Sequence, residues 1–455
     1  MNYNLLKGTI GAVALAVAFS ACNNEEDPGT SKNAHFTEKH HYFTTESFNA
    51  NEVQTAMIEM EDGDTLHFAE GTYEFTTSLS IQDKKNITLM GDGSTKTVLS
   101  FSGQSAGAQG ILATHTDGIL FKDFTIQDSP GDNIKVKDSN GVTFLNMEAV
   151  YTGEASEDNG AYAVYPVACK NVLLDGVYVR GASDAGIYVG QTENVIVKNC
   201  IAEENVAGIE IENCMYADVF SNTAKNNTGG ILVFSLPGLE VIKNGMHTRV
   251  FNNTIENNNH NNFAPAGNIV GNVPAGTGIM TLAYQGVEIF GNTIKNNNMT
   301  SVAIFSWAAL EALDPSRLYE GDDYFKLNMD INIHNNQIIT EDGQFPNLTQ
   351  SAIGELVLGI NLYKVFPEFN KSISHILFDG IPLYVGEQDL TNLTINNNGD
   401  GVIFTNMNVI QAPNQEDYAD DQAFLEAWQM SFDVSPFAIE GGYVGSEVTV
   451  SARAE

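Results

Sequence analysis

The stretch Thr248-Arg-Val-Phe-Asn-Asn253-Thr-Ile255 decides the fold, because it recurs along the middle of the chain. Four further stretches repeat its apolar residues and its asparagine: Asn194-Val-Ile-Val-Lys-Asn199-Cys-Ile201, Ala217-Asp-Val-Phe-Ser-Asn222-Thr-Ala224, Val287-Glu-Ile-Phe-Gly-Asn292-Thr-Ile294 and Ile331-Asn-Ile-His-Asn-Asn336-Gln-Ile338. The marker asparagines follow one another at spacings of 23, 31, 39 and 44 residues. One basic repeat with growing insertions is typical of a solenoid, in which each coil packs on its neighbours.

The residues of the repeat predict strands. Apolar, often β-branched residues alternate with a period of two, and turn formers interrupt them every few positions. Stacking the coils about 4.8 Å apart pairs these strands in parallel and buries a core inside the tube. The alternation predicts two inward rows: Ile196, Val219, Val250, Ile289 and Ile333, and then Ile201, Ala224, Ile255, Ile294 and Ile338. The marker asparagines predict a structural ladder at a sharp turn, where their amides bond from coil to coil.

The ends of the tube need covers, since the open core would otherwise face water. Val53, Ala56, Met57 and Met60 have helical spacing, which predicts an N-terminal capping helix. Beyond about residue 343 the repeat weakens, and the sequence predicts the last coils over 374–379 and 393–398 and a short helix over 417–430. We assign residues 48–410 to the solenoid and 411–455 to a short C-terminal cap.

From about Glu52 to Asn408 the chain resembles right-handed parallel β-helix proteins of the pectin-lyase-like kind. It is more closely similar to a family of bacterial β-helix lipoproteins through three strings: Ala182-Ser-Asp-Ala-Gly-Ile-Tyr-Val-Gly190, Ala207-Gly-Ile-Glu-Ile-Glu-Asn213 and Thr228-Gly-Gly-Ile-Leu-Val-Phe234. The resemblance implies an all-β, right-handed parallel β-helix solenoid. The wider superfamily implies carbohydrate lyases, hydrolases and epimerases as an analogy of fold, while the closer family has no settled activity.

The N-terminal residues predict that the protein is exported from the cytoplasm. Residues 1–21 combine Lys7 with an apolar stretch that is too short to span a bilayer, which is typical of a signal peptide. The string Phe19-Ser-Ala-Cys22 resembles a bacterial lipobox, with Phe19 where that motif usually has Leu. Lipidation at Cys22 would make the protein an outer-membrane lipoprotein, held to the membrane by its lipid alone. The acidic tether over 22–47 resembles an export signal for surface display, and display at the periplasmic face is the alternative.

The net charge excludes one class of partner, and the spacing of the cysteines bears on a metal site. The 455 residues carry 21 Lys and Arg against 57 Asp and Glu, a formal net charge of −36, which excludes nucleic acid as a partner. With Cys22 lipidated, Cys169, Cys200 and Cys214 remain, and their spacing suggests no metal site. The sequence favours buried thiols in the core.

One strand of each coil predicts a binding groove. Ile134, Val164, Ile187, Ile209, Ile231 and Ile279 should point inward, so the residue after each should form an outward column: Lys135, Tyr165, Tyr188, Glu210, Leu232 and Met280. Gly186, Gly208, Gly230 and Gly278 precede the inward residues, which predicts a glycine floor that a ligand approaches closely. Insertions over 151–159, 235–247 and 257–276 would wall this groove. The alternative is that each glycine only marks a bend at a corner of the coil.

The column offers groups for acid–base chemistry on a polysaccharide. Lyases and epimerases of uronic acids need a base, an acid and a neutraliser of the sugar carboxylate. Tyr188 or Lys135 is the candidate base, Tyr165 the acid, and Glu210 completes the catalytic set. Asn159, Tyr162, Asp184, Glu212 and Phe234 are the candidate substrate contacts. Asp184, Glu210 and Glu212 could also hold Ca²⁺, which would bridge to the carboxylate of a sugar that this acidic chain otherwise repels.

The sequence alone leaves two alternatives to a lyase or epimerase open. Asp184 and Glu210 are the pair of carboxyl groups that a glycoside hydrolase would need. The Asn-Thr-Asp and Gly-His-Gly strings of β-helix polygalacturonases and the Asp-Pro-His of alginate epimerases do not occur in the sequence. The alternative from another class is a non-catalytic scaffold that binds a protein at the cell surface. Exposed Leu232, Phe234, Met280 and Leu282 would favour that scaffold.

Overall fold

The coils of the chain stack their strands into three parallel sheets, and most coils contribute one strand to each sheet. The computed structural model describes residues 39–341, 346–351, 353–354, 357, 374–385, 388–389, 391–411, 417–419, 423, 427–428 and 430–453. The predicted signal peptide, the lipidation site Cys22 and half of the predicted helix over 417–430 lie outside these residues. Among the described helices, none is long and apolar enough to cross a membrane.

The first sheet of the coil has twelve strands, which are paired in parallel from one end to the other. They are His40–Phe43, Thr65–Phe68, Thr88–Met90, Asp117–Lys122, Asn140–Leu145, Lys170–Asp175, Glu193–Lys198, Met215–Phe220, Met246–Phe251, Gln285–Phe290, Met329–His334 and Thr394–Asn396. Because His40–Phe43 pairs with Thr65–Phe68, the tube begins inside the stretch that the sequence assigned to the tether.

The second and third sheets have ten and eleven strands. The second sheet contains Gly71–Glu74, Thr97–Ser100, Thr125–Gln127, Glu148–Val150, Tyr178–Arg180, Ile201–Glu203, Thr223–Lys225, Thr254–Glu256, Thr293–Lys295 and Gln337–Ile339. The third contains Thr77–Gln82, Ala106–Thr114, Ile134–Lys137, Tyr162–Val167, Ala185–Gly190, Ala207–Glu212, Gly229–Phe234, Thr277–Leu282, Thr300–Phe305, Ser374–Phe378 and Phe404–Asn406. An antiparallel pair, Tyr384–Val385 and Gln388–Asp389, lies apart from them.

An α-helix spans Trp307–Leu313, and the predicted capping helix is confirmed as Ala50–Glu59. Asn49 caps it by accepting a hydrogen bond from the amide of Asn51 at 2.9 Å, and its buried face joins the core of the tube. Short 3₁₀ turns stand at Ile269–Asn272, Pro315–Arg317, Leu348–Gln350, Val409–Gln411 and Ser435–Phe437.

A ladder of buried asparagines lies at the first corner, which joins the first sheet to the second. The Nδ2 group of each donates to the Oδ1 of the next, at 3.0, 3.0, 2.9 and 2.8 Å. Its members are Asn222, Asn253, Asn292, Asn336 and Asn398. The residue before the marker takes the left-handed backbone, as at Ser221 (φ 56°) and Asn252 (φ 54°). The predicted ladder is confirmed, with the turn one residue earlier than expected.

The copy at Asn199 is out of register by one residue. Asp218 pairs with Ile196, and Thr223 pairs with Ile201. Cys200 therefore takes the ladder position, and its amide donates to the Oδ1 of Asn222 at 2.9 Å. The inward residues of this coil are Val197 and Ala202, whereas Ile201 is 40% exposed, so the predictions for Ile196 and Ile201 were wrong. The alternation of Val, Ile and Val there is compatible with either register.

A second asparagine ladder runs along the second corner, between the second and third sheets, and the sequence reading missed it. Asn205, Asn227, Asn258 and Asn297 bond in the same way, at 3.0, 2.9 and 2.9 Å. All of them are nearly or fully buried.

The C-terminal residues do two things. Val434 and Phe437 pack on the core of the last coil, as a cap would. Residues 439–453, which we call the C-terminal strap, instead run back along the outer face of the first sheet, where the sequence predicted only an end cap. The strap bonds to successive strands through Tyr443 O to Asn332, Gly445 N to Glu288, Val448 N to Asp218, Ser451 N to Asn171 and Arg453 to Asn86 O.

Candidate active site

The predicted outward column exists on the third sheet. Lys135 pairs with Tyr165, Tyr188 with Glu210, and Glu210 with Leu232, so these side chains follow one another from coil to coil. The inward partners Ile187, Ile209 and Ile231 are fully buried in the tube, as predicted. The column is nevertheless not an open face, since Tyr188, Glu210 and Leu232 are 5%, 1% and 0% exposed.

Insertions cover this face and form a second apolar cluster outside the tube. Val270 and Val273 come from the insertion over 257–276, and Trp307 and Leu310 come from the insertion over 306–328. Beneath them lie the four residues that the sequence expected to be exposed: Leu232, Phe234, Met280 and Leu282. That expectation was wrong, because the insertions pack on these side chains. Phe234 is 1% exposed inside this cluster and offers no surface to a substrate.

The glycines do not form a floor. A methyl group added at Gly186 would come within 2.8 Å of Nδ2 of Asn205, and one at Gly208 within 2.8 Å of Nδ2 of Asn227. A methyl group at Gly230 or Gly278 would likewise meet a ladder amide. These glycines therefore face the second corner, where the chain passes close to the buried ladder. The alternative interpretation, a bend at the corner, fits the structure.

Three tyrosines pack together at the N-terminal side of the column. The ring centroids of Tyr162, Tyr165 and Tyr188 lie 4.4 to 4.8 Å apart. Nζ of Lys135 lies 4.1 Å above the ring of Tyr165 and 3.9 Å from a carboxylate oxygen of Asp132. The ammonium group is thus held between an aromatic face and a carboxylate.

Beside the tyrosines, three carboxyl groups line a cavity of about 260 Å³. Asp184, Glu210, Glu212 and Tyr162 line it, together with residues 267–270 of the insertion over 257–276. The hydroxyl of Tyr188 donates to Oε1 of Glu212 at 2.7 Å, and Nδ2 of Asn268 donates to Oδ2 of Asp184 at 2.8 Å. Oε2 of Glu210 is buried and has no hydrogen-bond partner among the described residues.

Burial sets the protonation of this cluster. Desolvation raises the pKa of Glu210 well above its ordinary value, and the charges of Asp184 and Glu212 raise it further. Desolvation, then the charge of Glu212, raises the pKa of Asp184 to about 7, although the bond from Asn268 lowers it in part. Desolvation also raises the pKa of Glu212 to about 7 against the opposing bond from Tyr188. Near neutral pH the cluster therefore holds protons that exposed carboxyl groups would have lost.

The structure adds two residues that the sequence reading did not single out. Asp132 is buried beside Lys135, and desolvation raises its pKa to about 6 against the pull of that lysine. Asp132 precedes its strand of the third sheet much as Asp184 does, so a search for acids at strand starts would have found it. Asn268 lies in an insertion without periodicity, and no sequence signal marked it.

Two predicted roles do not match the geometry. Nδ2 of Asn159 donates to the carbonyl oxygens of Gly181 and Glu154, and the residue lines a different cavity of about 210 Å³. Asp184, Glu210 and Glu212 share one cavity, yet no three His, Cys, Asp or Glu side chains of the described chain form a group that could hold a metal ion. Asp184 and Glu212 instead accept hydrogen bonds from two different neighbours. The three ligands predicted for Ca²⁺ therefore do not form a cation site.

The cysteine prediction is confirmed. Cys169, Cys200 and Cys214 are free and buried, and desolvation raises the pKa of Cys169 and of Cys200 to about 12. Thiols in this state are poor nucleophiles.

Comparison with known proteins supports the architecture. Residues 109–263 match a family model described as a right-handed β-helix region, which agrees with the three parallel sheets and confirms the resemblance to right-handed parallel β-helix proteins. No curated protein matches the chain.

Solved structures similar to the chain include enzymes and a phage protein. The A-module of the mannuronan C-5 epimerase AlgE4 from Azotobacter vinelandii is 14% identical, with a TM-score of 0.40 over 66% of this chain and 88% of that one. An alginate lyase from Paenibacillus sp. str. FPU-7 is 14% identical, with a TM-score of 0.31 over 66% and 95%. The pre-mature gene product 12 of bacteriophage phi29 is 13% identical, with a TM-score of 0.38 over 62% and 43%.

Proposed function

We propose that the protein binds a polysaccharide in the cavity of Asp184, Glu210 and Glu212 and modifies it there by acid–base chemistry, as a lyase or epimerase of uronic acids. One observation supports this most: the buried Glu210 carboxyl group has an oxygen without a hydrogen-bond partner in the described part of the chain, and it faces two further carboxyl groups. An unsatisfied buried acceptor costs about 1–3 kcal/mol, which the hydroxyl groups of a sugar would recover by donating to it.

The base in this proposal is the pair of Tyr188 and Glu212. Burial and the neighbouring carboxylate of Glu212 hold the pKa of Tyr188 well above its ordinary value, so the phenol keeps its proton and forms no phenolate base on its own. Its hydroxyl already donates to Glu212 at 2.7 Å, and the carboxylate can take that proton as the phenol oxygen removes the proton beside the sugar carboxylate. Lys135 is engaged by Asp132 and Tyr165, which makes it a positioning residue for Tyr165.

The remaining groups supply the acid and the neutraliser. Burial, then nearby carboxylates, raises the pKa of Tyr165, which keeps its hydroxyl protonated as a general acid must be. Protonated Glu210 can donate a hydrogen bond to the carboxylate of the sugar. A carboxylic acid kept neutral by an apolar site acts as a donor in this way. This arrangement gives an acidic protein a means to accept an acidic sugar without a metal ion.

The test is an assay of the mature chain on polymannuronate, polygalacturonate and neutral glycans. We expect either unsaturated sugars, detected by their ultraviolet absorbance, or inverted uronates, detected by NMR. Tyr188→Phe should lower the rate by about 100-fold or more. Tyr178→Phe is the matched control, because Tyr178 also donates to a carboxylate, Glu203 at 2.6 Å, but on the second sheet. Equal rates for the two variants would contradict the proposed base.

The same assay distinguishes the two alternative functions, a glycoside hydrolase and a non-catalytic scaffold. New reducing ends without unsaturation, lost in Glu210→Gln and Asp184→Asn, would indicate the glycoside hydrolase. Absence of both turnover and binding on every glycan would leave the scaffold for a surface protein. The observation that favoured the scaffold is gone, since Leu232, Phe234, Met280 and Leu282 are buried.

We also propose that the protein is an outer-membrane lipoprotein with its lipid on Cys22. The lipobox-like string and the acidic tether support this placement. Mass spectrometry of the mature N-terminus should find a lipid on Cys22, and Cys22→Ser should release the protein into the soluble fraction. An unlipidated N-terminus at another residue would contradict the proposal.

A further inference from the structure

A larger cavity, of about 440 Å³, adjoins the candidate active site and has no role in the chemistry described so far. Four separate segments of the chain supply its lining. Glu157 comes from 151–161, Asn262 and Asn272 from 257–276, Arg317 from 306–328, and Gln350 from 346–351. In a solenoid, insertions that collect on one face commonly build the binding surface.

The two cavities share a wall. Gly267 and Asn268 line both of them. Asn268 is also the residue whose side chain bonds to Asp184 in the active-site cavity. A chain molecule that fills the first cavity therefore needs to pass only this short segment to reach the second.

Arg317 is the only lysine or arginine in the described lining of the larger cavity. Its Nη2 donates to Oδ1 of Asn272 at 3.1 Å, and its Nε lies 3.2 Å from Oδ2 of Asp314. The indole Nε1 of Trp307 donates to the carbonyl oxygen of Arg317 at 3.3 Å, which anchors the backbone of Arg317. A guanidinium group has five N–H donors in a planar fork that fits a carboxylate, so these contacts leave donors for a ligand.

We propose that this cavity is a second sugar subsite and that Arg317 binds the carboxylate of a uronic acid there. The inference rests on the proposed function and deepens it, because it selects a polyuronate over a neutral glycan. The amide side chains of Asn262, Asn272 and Gln350 supply donors and acceptors for sugar hydroxyl groups. Glu157 is the opposing charge in the lining, and it is exposed to solvent and therefore screened.

The experiment is calorimetric titration of the mature chain with oligomannuronates of increasing length, beside neutral oligosaccharides of the same lengths. We expect wild type to bind the longer oligomannuronates more tightly than the dimer. Arg317→Gln should weaken the longer ones by about 10- to 100-fold and leave the dimer unchanged, as expected for loss of a charge-assisted bond. Arg180→Gln, which removes an ion pair with Glu204 on the second sheet, is the matched control.

Each outcome decides the proposal. If wild type gains affinity with length and Arg317→Gln retains that gain, the subsite is overturned while the proposed function stands. If wild type binds no oligomannuronate, the subsite is overturned, and the polygalacturonate arm of the activity assay decides the proposed function. Arg317→Lys keeps the charge without the fork and should fall between wild type and Arg317→Gln, which separates carboxylate binding from a folding defect.

Discussion

The first corner of the coil keeps a fixed length, whereas the flanks of the third sheet accept insertions. From Lys122 to Gln337 the chain always turns the first corner in the two residues between one strand and the next. On either side of the third sheet the same coils accept long insertions, such as 257–276 and 306–328. From Ser221 to Asn336 the second residue of the first corner is the ladder asparagine, which is tied to the coils above and below it, and a strand follows at once. The second ladder holds only Asn258 at the start of the insertion over 257–276, so the residues after Asn258 can lengthen and become a wall of the site.

The largest expected effect comes from lengthening the first corner. Five Gly and Ser residues inserted between Asn252 and Asn253 would pull Asn253 away from Asn222, Asn292 and the carbonyl oxygen of Val219. We expect the free energy of unfolding to fall by on the order of 5 kcal/mol, measured by urea titration. The same insertion after Gly238, in the flank over 235–245, should cost less than about 1 kcal/mol, since loop closure depends only weakly on length. Equal losses at the two places would contradict the comparison.

Removing one ladder side chain should come next. Asn253→Ala deletes two bonds that its amide donates and two that its Oδ1 accepts from Asn222. With buried partners left unpaired, we expect a loss of about 3–5 kcal/mol in the urea titration. The control is Asn252→Gly, one residue earlier, because Gly291 already occupies the equivalent left-handed turn of the next coil. That control should change stability by less than about 0.5 kcal/mol.

The carboxyl cluster of the site and the asparagine ladder should also differ in how they make the free energy of unfolding depend on pH. The native pKa values of Asp184 and Glu212 are about 7, against 3.8 and 4.5 for the free groups, so the native state holds more protons between these values. The free energy of unfolding should therefore fall, by on the order of a few kcal/mol, as pH rises from about 5 to 8. The paired variant Asp184→Asn with Glu212→Gln should flatten this slope. Asn253→Ala should keep it, since amides do not titrate, and an unchanged slope in the paired variant would place the titrating groups elsewhere.

The smallest expected effect is an extension of the ladder. Cys200 stands where the next asparagine would, and its amide already bonds to Asn222. Cys200→Asn should raise the free energy of unfolding by up to about 1 kcal/mol, because its new amide continues the series. Cys200→Val, which adds no donor, should bring no gain. A loss of stability in Cys200→Asn would indicate that the coil has no room for the amide.

Periodicity explains what could be predicted from the sequence and what could not. The inward residues Ile187, Ile209 and Ile231, and hence the column containing Tyr188 and Glu210, follow from alternation and are where it placed them. The register at Asn199 failed because several apolar residues in a row fit two phases equally well. The prediction that the column is exposed failed for another reason. The insertions that cover the column follow no repeat, and their docking depends on tertiary contacts of residues such as Val270 and Trp307.

The C-terminal strap has a consequence for the order of assembly. In a solenoid each coil contacts only its neighbours, so unfolding can begin at an end and proceed coil by coil. Residues 439–453 bond to strands from Asn396 back to Asn86, which couples distant coils directly. Residues 439–453 are synthesised after these coils, so they fasten coils that were completed earlier. Once these residues are bound, we expect the coils that they connect to unfold together rather than one by one.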